Sequence, residues 1–274
     1  MKITGFDHTN RGIGIRNLQL ILPSVVCSTR VSSRIATEVS KEYPAVTFAH
    51  QHGCGIIGND VGGITEYFAS LAKHPNIGSV LIVGLGCETI QGNELADKLL
   101  MENSSTKYLV IQESGGVQGT VDGGVSAAKE LTAAYPPNKS ELKDLHVGID
   151  LSNANLLAAE LVTGLSALGV KTTVSSSHKN SGLNFSELME TGVHLIVSFP
   201  DENQPASGFP LIPTLNISSN SPLHMALAAD FDLAANATVA QIIELIELVA
   251  NGAKTKVEAM GAGEIIAPRV VRSV

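Results

Sequence analysis

The chain has 274 residues, of which 44% are hydrophobic but only 4% aromatic, and its formal net charge is −8 at pH 7. This length accommodates one large domain or two modest ones, and an acidic balance without a basic run argues against nucleic acid and anionic membranes as partners. No apolar run approaches the roughly 20 residues of a membrane helix, and the first residues lack the apolar segment of a signal peptide, so we expect a cytoplasmic protein.

Short apolar runs rich in β-branched residues alternate with helix-like stretches, which is typical of βαβ units. The predicted strands lie near residues 18–26, 45–50, 79–84, 107–112, 145–149, 170–175, 194–198 and 213–217. The predicted helices fill much of 31–42, 63–72, 93–101, 123–134, 154–168, 186–191, 223–228 and 238–250.

A polar link at 135–144, which contains two prolines, separates the two sets of strands. We therefore predict an α/β fold with two Rossmann-like lobes and parallel sheets. Residues 1–140 form the first lobe, and residues 141–274 form the second lobe with a C-terminal helix and tail. Within that tail, residues 254–264 have the composition of a polar, mobile segment.

The two halves of the chain follow one plan, which predicts an internal duplication. In chain order, ILPSVVCST corresponds to VGIDLSNAN, AVTFAHQHG to VKTTVSSSHK, SVLIVGLGCE to VHLIVSFPDE, and KYLVIQES to PTLNISSN. Identity within these pairs is slight, so the alternative is that any two βαβ halves look alike. The turns that match the cysteine turns of the first half carry Asn153, His178 and Asp201.

Three cysteines, Cys27, Cys54 and Cys87, each follow a predicted strand of the first half. Open α/β sheets bind ligands at the carboxyl edge of parallel strands, so we expect the three thiols to converge there on a soft metal or an iron–sulfur cluster. The alternative for each is a small buried hydrophobic residue, and their spacings match no compact metal motif. An odd number of cysteines argues against a disulfide framework.

Other polar residues flank the predicted strands. In HQHGC, His50 and His52 are candidates for a general base or a metal ligand, although each could instead satisfy a loop carbonyl. Arg16 precedes the first of these strands and suits a substrate carboxylate, the alternative being a surface ion pair.

The turn QESGG comes after the fourth predicted strand. Its Gly115 and Gly116 could present backbone amides to an anion, with Glu113 beside them. GLGCE does not complete the GxGxxG fingerprint, and no acidic residue occurs in the required place, so the sequence argues against NAD binding.

Taken together in order, these motifs resemble one family. GFDHTNRGIGIRNLQLILPSVVCST is similar to the opening of the altronate/galactarate dehydratase family, and HQHGCG, KHPNIGSVLIVGLGCE and IQESGG continue the resemblance. FDLAANA and VANGAKTKVEAMGAGE are similar to the closing pattern of the family. The resemblance is to a short form that lacks the small β-rich N-terminal domain of fused members.

The resemblance implies an iron-dependent lyase that removes water from a sugar acid such as altronate or galactarate, or from a related hydroxy acid, to give a 2-keto-3-deoxy acid. The iron would be mononuclear Fe²⁺ or a [4Fe–4S] cluster, and both remain open. The residues expected at the site are Cys27, Cys54 and Cys87 for the metal, His50, His52, Glu88 and Glu113 for acid–base catalysis, and Arg16, Asn17, His74, Gly115 and Gly116 for substrate binding.

The second half departs from the family pattern. GIDLSNANLLAAE stands where members usually carry a CGGSD segment, and VSFPDENQPAS replaces FTTGRGT. An alternative function is therefore a non-catalytic or regulatory homologue that binds a sugar acid, or a large subunit for a separate small β-rich subunit. In either case we expect a homo-oligomer.

Overall fold

The computed structural model describes residues 2–8, 11–56, 58–101, 105–134, 138–152 and 155–267. The chain divides into two compact units. The first unit consists of Phe6–Asn138 with Ile265–Val274, and the second unit consists of Lys139–Glu264 with Met1–Gly5. Each terminal segment thus belongs to the unit that is formed mainly by the other half of the chain.

Strands and helices alternate along most of the described chain. The strands are β1 (Ile3–His8), β2 (Gly12–Gly14), β3 (Leu18–Pro23), β4 (Ala45–Val46), β5 (Ile77–Gly84), β6 (Thr106–Val110), β7 (Asn138–Leu142), β8 (His146–Leu151), β9 (Lys171–Ser175), β10 (Leu195–Phe199) and β11 (Thr214–Asn216). The α-helices are α1 (Thr29–Val39), α2 (Asn59–Lys73), α3 (Gly92–Met101), α4 (Gly116–Ala134), α5 (Leu156–Ala167), α6 (Ser181–Glu190), α7 (Pro222–Ala226), α8 (Val239–Ala250) and α9 (Lys256–Met260).

Each unit contains a four-stranded parallel sheet. The order is β4-β3-β5-β6 in the first unit and β9-β8-β10-β11 in the second. Numbered along the chain within each sheet, both have the strand order 2-1-3-4. The predicted α/β fold with two Rossmann-like lobes is confirmed, and each pair of matching segments occupies the same place in its sheet.

The structure also contains elements that the sequence did not predict. Within the predicted link, β7 forms at Asn138–Leu142, and a further three-stranded sheet has the order β2-β1-β7. Residues 135–137 of that link, and Asn153, lie outside the described residues. These strands are short and largely polar or glycine-containing, so they lack the apolar alternation that signals a strand.

Two predicted segments differ in structure from the prediction. The strand expected at 45–50 pairs only at Ala45 and Val46, with Gln19 and Leu20 of β3. The segment expected to be mobile contains α9, whose N-cap residue Thr255 is 1% exposed and forms a capping box with Glu258. A capping box satisfies two backbone N–H groups at once, which explains a stable helix in a polar sequence.

The core of the first unit lies between its sheet and two helices. Ile21, Leu81 and Val83 of the sheet pack with residues of α1 and α4 such as Ile35. At Gly124 of α4, a Cβ atom would lie 2.4 Å from Ile35 Cδ1, so glycine permits the close packing of the two helices. Within the described ranges, no helix is long and apolar enough to span a bilayer.

Candidate functional site

The three cysteines lie where strands of the first-unit sheet end. Cys27 is in a single 3₁₀ turn (Val26–Ser28) after β3, Cys54 is in the loop after β4, and Cys87 is in the turn after β5. The strand order reverses between β3 and β5, and such a switch point is where open α/β sheets bind ligands. All three thiols are free and exposed.

The thiols are close enough to influence one another. Desolvation, then the neighbouring Cys87 and Cys27, raises the pKa of the Cys54 thiol. The structure thus brings together three thiols from loops that are far apart in sequence.

Three hydrogen bonds link the cysteine-bearing loops to one another, one for each pair of loops. They run from Val26 N to the His52 carbonyl (2.9 Å), from Thr89 Oγ1 to the Cys54 carbonyl (2.5 Å), and from Ser24 Oγ to Glu88 Oε1 (2.8 Å). Because each loop is tied to both others, the thiols are arranged by the protein scaffold.

Glu88 organises the turn that carries Cys87. Its carboxylate is buried and accepts hydrogen bonds from Ser24 Oγ, from the Leu85 amide (3.2 Å to each oxygen) and from the Gly86 amide (2.6 Å). Both oxygens are therefore occupied by donors of the turn itself. This geometry suits a positioning residue more than the acid–base residue expected from the sequence.

His50 is buried and has a defined tautomer. Its Nδ1 accepts a hydrogen bond from the His52 amide (2.9 Å), which places the proton of the neutral ring on Nε2. Desolvation, and secondarily His52, lowers the pKa of His50 to about 4. The buried Nε2 has no hydrogen-bond partner among the described residues, so His50 is a neutral ring with an unused N–H donor.

His52 is half-buried beside a segment from the end of the chain. Its Nε2 lies 3.4 Å from the Ala267 carbonyl. The neighbouring Gln51 donates to the Ile265 carbonyl (2.6 Å) and accepts from the Ala267 amide (3.3 Å). Residues 265–267 therefore run along the histidine loop.

The turn after β6 lies at the same edge of the sheet, since β6 is the neighbour of β5. Gly115 and Gly116 have φ values of +75° and +79°, which favour glycine, and α4 begins at Gly116. Glu113 is exposed in this turn. Its carboxylate is near enough to the phenol of Tyr108 to affect that group.

Tyr108 is a candidate that the sequence reasoning missed. Burial, then Glu88 and Glu113, raises the pKa of Tyr108 to about 12, so the phenol stays protonated. A Cβ at Gly84, at the end of β5, would lie 2.7 Å from its hydroxyl. The only sequence signal that could have identified Tyr108 was its position two residues before the end of the strand TKYLV.

Arg16, Asn17 and His74 lie at the opposite edge of the sheet. Arg16 and Asn17 directly precede β3, and His74 precedes β5, whereas the cysteines come after the strands. The six residues of β3 span about 20 Å at roughly 3.3 Å per residue. The expectation that all these residues share one site with the cysteines therefore does not hold within one chain, because the length of the parallel strands separates the two edges of the sheet.

These amino-edge residues have partners of their own. Asn17 is hydrogen-bonded through Oδ1 to His8 Nε2 (2.9 Å), and His74 Nδ1 accepts from the Asn76 amide (3.2 Å). The Arg16 guanidinium donates to the Ile15 carbonyl (3.1 Å). Their side chains organise the start of the strands.

The residues expected to hold the metal are the three thiols at the carboxyl edge. Within the described part of the chain, no group of three or more histidine, cysteine, aspartate or glutamate side chains is arranged to hold a metal ion. The ligands of an iron–sulfur cluster bind different iron atoms and so need not surround one point. Whether the three thiols on linked loops would hold a cluster or mononuclear iron stays a prediction.

Two parallel-sheet units, one of which carries thiols at its switch point, define a Rossmann-like α/β protein with a candidate ligand site at the edge of a sheet. Residues 5–135 match the family described as D-galactarate dehydratase/Altronate hydrolase, second domain. This part of the chain is similar to that family, and the resemblance predicted from the sequence motifs is confirmed for it.

Two curated relatives are both described as altronate dehydratase. The protein of Bacillus subtilis (strain 168) is 30% identical over 156 residues, which cover 53% of this chain and 31% of the relative. The protein of Escherichia coli (strain K12) is 24% identical over 164 residues, which cover 56% of this chain and 32% of the relative. The matched segment thus spans about a third of the length of each relative.

Proposed function

We propose that this chain is an iron-dependent hydro-lyase that removes water from a sugar acid such as altronate or galactarate and gives a 2-keto-3-deoxy acid. The observation that carries the proposal is the convergence of Cys27, Cys54 and Cys87 at the carboxyl edge of the unit that matches the dehydratase family. The names of the two relatives support the same reaction class.

The proposed cofactor is iron, as a [4Fe–4S] cluster or as mononuclear Fe²⁺, which the thiolates of Cys27, Cys54 and Cys87 would hold. When bound, it supplies a Lewis acid for the carboxylate and hydroxyl oxygens of the substrate. The hydrogen bonds between the loops keep the thiols in place, and Glu88 holds the turn of Cys87.

The two histidines have different proposed roles. His52 is the proposed base for the proton next to the substrate carboxylate, because its ring is half-buried in the loop of Cys54. His50 cannot accept a proton at Nδ1 without losing the hydrogen bond from the His52 amide. It would instead donate from Nε2 to a substrate oxygen, once movement of the loop exposes that atom.

The proposal is tested by anaerobic purification of the full chain, reconstitution with iron and sulfide, and incubation with altronate and with galactarate. We expect bound iron and sulfide, and a 2-keto-3-deoxy acid detected by mass spectrometry. His52→Gln should keep its iron and lose turnover, whereas Cys54→Ser should lose the iron. His178→Gln, on a loop of the second unit, is the matched control and should keep both. Absence of iron binding and of product in the wild-type chain would refute the proposal.

A second candidate is a non-catalytic homologue that binds a sugar acid, or a large subunit that works with a separate small β-rich subunit. The family match ends at residue 135, which favours this candidate because Lys139–Glu264 of the second unit lie outside it. Calorimetry would then show binding of altronate or galactarate without turnover. Activity that appears only after co-expression with a small subunit would favour the two-subunit form, and the expected homo-oligomer is measurable by light scattering.

A further inference from the structure

The hydroxyl of Tyr108 reaches the carboxyl edge of the first-unit sheet, although the residue lies in the middle of β6. In the register of β6 with β5, Tyr108 is opposite Ile82. Its hydroxyl, however, lies beside Gly84, the last residue of β5. Side chains of a strand lean along the strand direction, and here the lean carries the phenol toward the turn of Cys87. The hydroxyl therefore lies at the edge that carries the candidate site.

Two glycines make room for this side chain. A Cβ atom at Gly84 would lie 2.7 Å from the hydroxyl oxygen of Tyr108. A Cβ atom at Gly92, the first residue of α3, would lie 3.0 Å from Cζ of the ring and closer still to Cε2. Protein interiors are close-packed, so neither position accepts a side chain while the ring stays where it is. The ring and its hydroxyl thus occupy a space that the chain leaves open for them.

The fold itself makes no use of the hydroxyl group. Tyr108 is half-buried, and it forms no hydrogen bond with any residue that the structure describes. The neighbouring Glu88 carboxylate already accepts from Ser24 Oγ and from the amides of Leu85 and Gly86. The O–H group of a tyrosine usually has a partner when the ring is buried, whereas a phenylalanine would fill the same space without needing one. Packing therefore accounts for the ring and leaves the hydroxyl free for a ligand.

The surroundings of the hydroxyl select the kind of ligand atom that can bind to it. Glu88 Oε1 and the Tyr108 hydroxyl both lie within 2.7 Å of the position that a Cβ atom of Gly84 would occupy, so the carboxylate is close to the phenol. Like charges repel, which disfavours a ligand carboxylate here and favours a neutral ligand hydroxyl. Burial, then Glu88 and Glu113, raises the pKa of Tyr108 to about 12, so at neutral pH the phenol keeps its proton and donates it in a hydrogen bond.

We propose that Tyr108 binds the ligand of this site by donating a hydrogen bond from its hydroxyl to a hydroxyl oxygen of a polyhydroxy acid. The inference rests on the proposed function for the class of ligand, and it adds a subsite that distinguishes acids with hydroxyl groups from acids without them. A site built to bond a ligand hydroxyl rejects an analogue that lacks it, because the donor is then left unpaired. Tyr108 is thus a binding residue and accepts no proton from the substrate.

The test compares galactarate with adipate, a dicarboxylate of equal carbon number without hydroxyl groups, on the full chain. Calorimetry without added iron measures binding in the absence of turnover, and the KM for galactarate is measured after reconstitution with iron. Tyr108→Phe should weaken the binding of galactarate by ~2- to 10-fold, the range for one net hydrogen bond, and leave that of adipate unchanged. Tyr43→Phe is the matched control, since it removes a hydroxyl just before β4, at the amino edge, and should change neither.

Unfolding in urea separates binding from a structural role. The midpoint of Tyr108→Phe should equal that of the wild-type chain, because the hydroxyl has no partner among the described residues. A lower midpoint, together with an equal loss of affinity for galactarate and adipate, would show that the hydroxyl supports the fold and would overturn the inference.

Two further results would overturn the inference even if the chain dehydrates galactarate. One is an unchanged affinity and KM for galactarate in Tyr108→Phe, and the other is a wild-type chain that binds galactarate no more tightly than adipate. Failure of the proposed function gives a different pattern. Galactarate would then bind with the expected dependence on Tyr108, while the reconstituted chain forms no 2-keto-3-deoxy acid.

Discussion

Ser24 donates a hydrogen bond from Oγ to Oε1 of Glu88 over 2.8 Å, and so joins the end of β3 to the turn after β5. These two strands are the neighbours between which the strand order of the first-unit sheet reverses. The bond therefore crosses the switch point and connects two of the three cysteine-bearing loops.

The second unit has a corresponding serine–carboxylate hydrogen bond, but here the carboxylate is on the first strand of the sheet and the serine is on the third. Ser198 on β10 donates from Oγ to Oδ2 of Asp150 on β8 over 2.6 Å, and Asn184 donates to the other oxygen (2.7 Å). β8 and β10 are the first and third strands of their sheet, as β3 and β5 are of theirs. In each unit, a buried serine–carboxylate hydrogen bond thus crosses the switch point of the sheet.

Replacement of Glu88 by glutamine should lower the free energy of unfolding by about 1–3 kcal/mol, because the neutral amide cannot accept from all the donors of the turn. Denaturant unfolding in urea measures the change. Ser24→Ala should cost about 1 kcal/mol, since it removes one of those donors. Glu113→Gln, at an exposed position, is the control; a loss there as large as in Glu88→Gln would contradict this account.

The stability of the protein should decrease in mild acid, in part through His146. Burial, then Lys171 and His194, lowers the pKa of His146 to about 4, whereas the unfolded chain titrates near 6.5. The native state then binds fewer protons than the unfolded state, so the contribution of His146 is present above pH 6.5 and is lost as the pH falls toward 4.

His146→Gln should therefore flatten the dependence of the unfolding free energy on pH between 7 and 5, as measured by denaturant titration at several pH values. Thr173→Val is the matched control, since it removes the partner of His146 Nε2 (2.8 Å) and keeps the imidazole. An equal slope in His146→Gln and the wild-type chain would show that this residue is not responsible.

Thr255→Ala should lower the free energy of unfolding by about 1 kcal/mol, because the side chain caps α9 at the Glu258 amide (3.2 Å). Thermal or urea unfolding would detect the loss, and Thr255→Ser should restore most of it. Lys254→Ala changes the exposed neighbouring residue and should have little effect. A neutral Thr255→Ala would mean that the cap of α9 contributes nothing to the stability of the folded state.

Two glycines should respond to alanine in opposite directions. At Gly62, in α2 and exposed, a Cβ atom meets nothing within 4 Å, so Gly62→Ala should stabilise the protein by about 0.5–1 kcal/mol through helix propensity. At Gly14, a Cβ would lie 2.0 Å from the Pro75 carbonyl oxygen, and Gly14→Ala should cost about 1–3 kcal/mol. Differential scanning calorimetry distinguishes the two, and a shift of the same sign in both would contradict the packing argument.

Much of the fold was predictable because its main strands carry their own signal. β3, β5, β8 and β10 are almost entirely buried and rich in aliphatic residues, as expected for central strands of parallel sheets. The predicted length of the edge strand β4 was too great, since only Ala45 and Val46 pair with β3. Hydrophobicity predicts extended backbone, but it does not determine where pairing stops.

From the sequence, only those site residues that directly follow a predicted strand could be placed correctly. Cys27, Cys54 and Cys87 each come after a strand, and strand direction alone places them on one edge. Arg16 and His74 belong to the same sequence motifs but precede their strands. They therefore lie at the opposite edge of the parallel sheet. The role of Glu88 depends on Ser24, a contact between distant segments that no local pattern contains.

The sequence by itself determined the α/β fold, its two similar halves and the location of the thiols at strand ends, because these depend on short-range hydrophobic patterns and on chain direction. Only the tertiary structure decided which loops are hydrogen-bonded to one another at the edge of the sheet, which histidine is buried and neutral, and which carboxylate holds a turn. These properties depend on hydrogen bonds and desolvation between loops that are distant in sequence, and they arise only when the strands are assembled side by side.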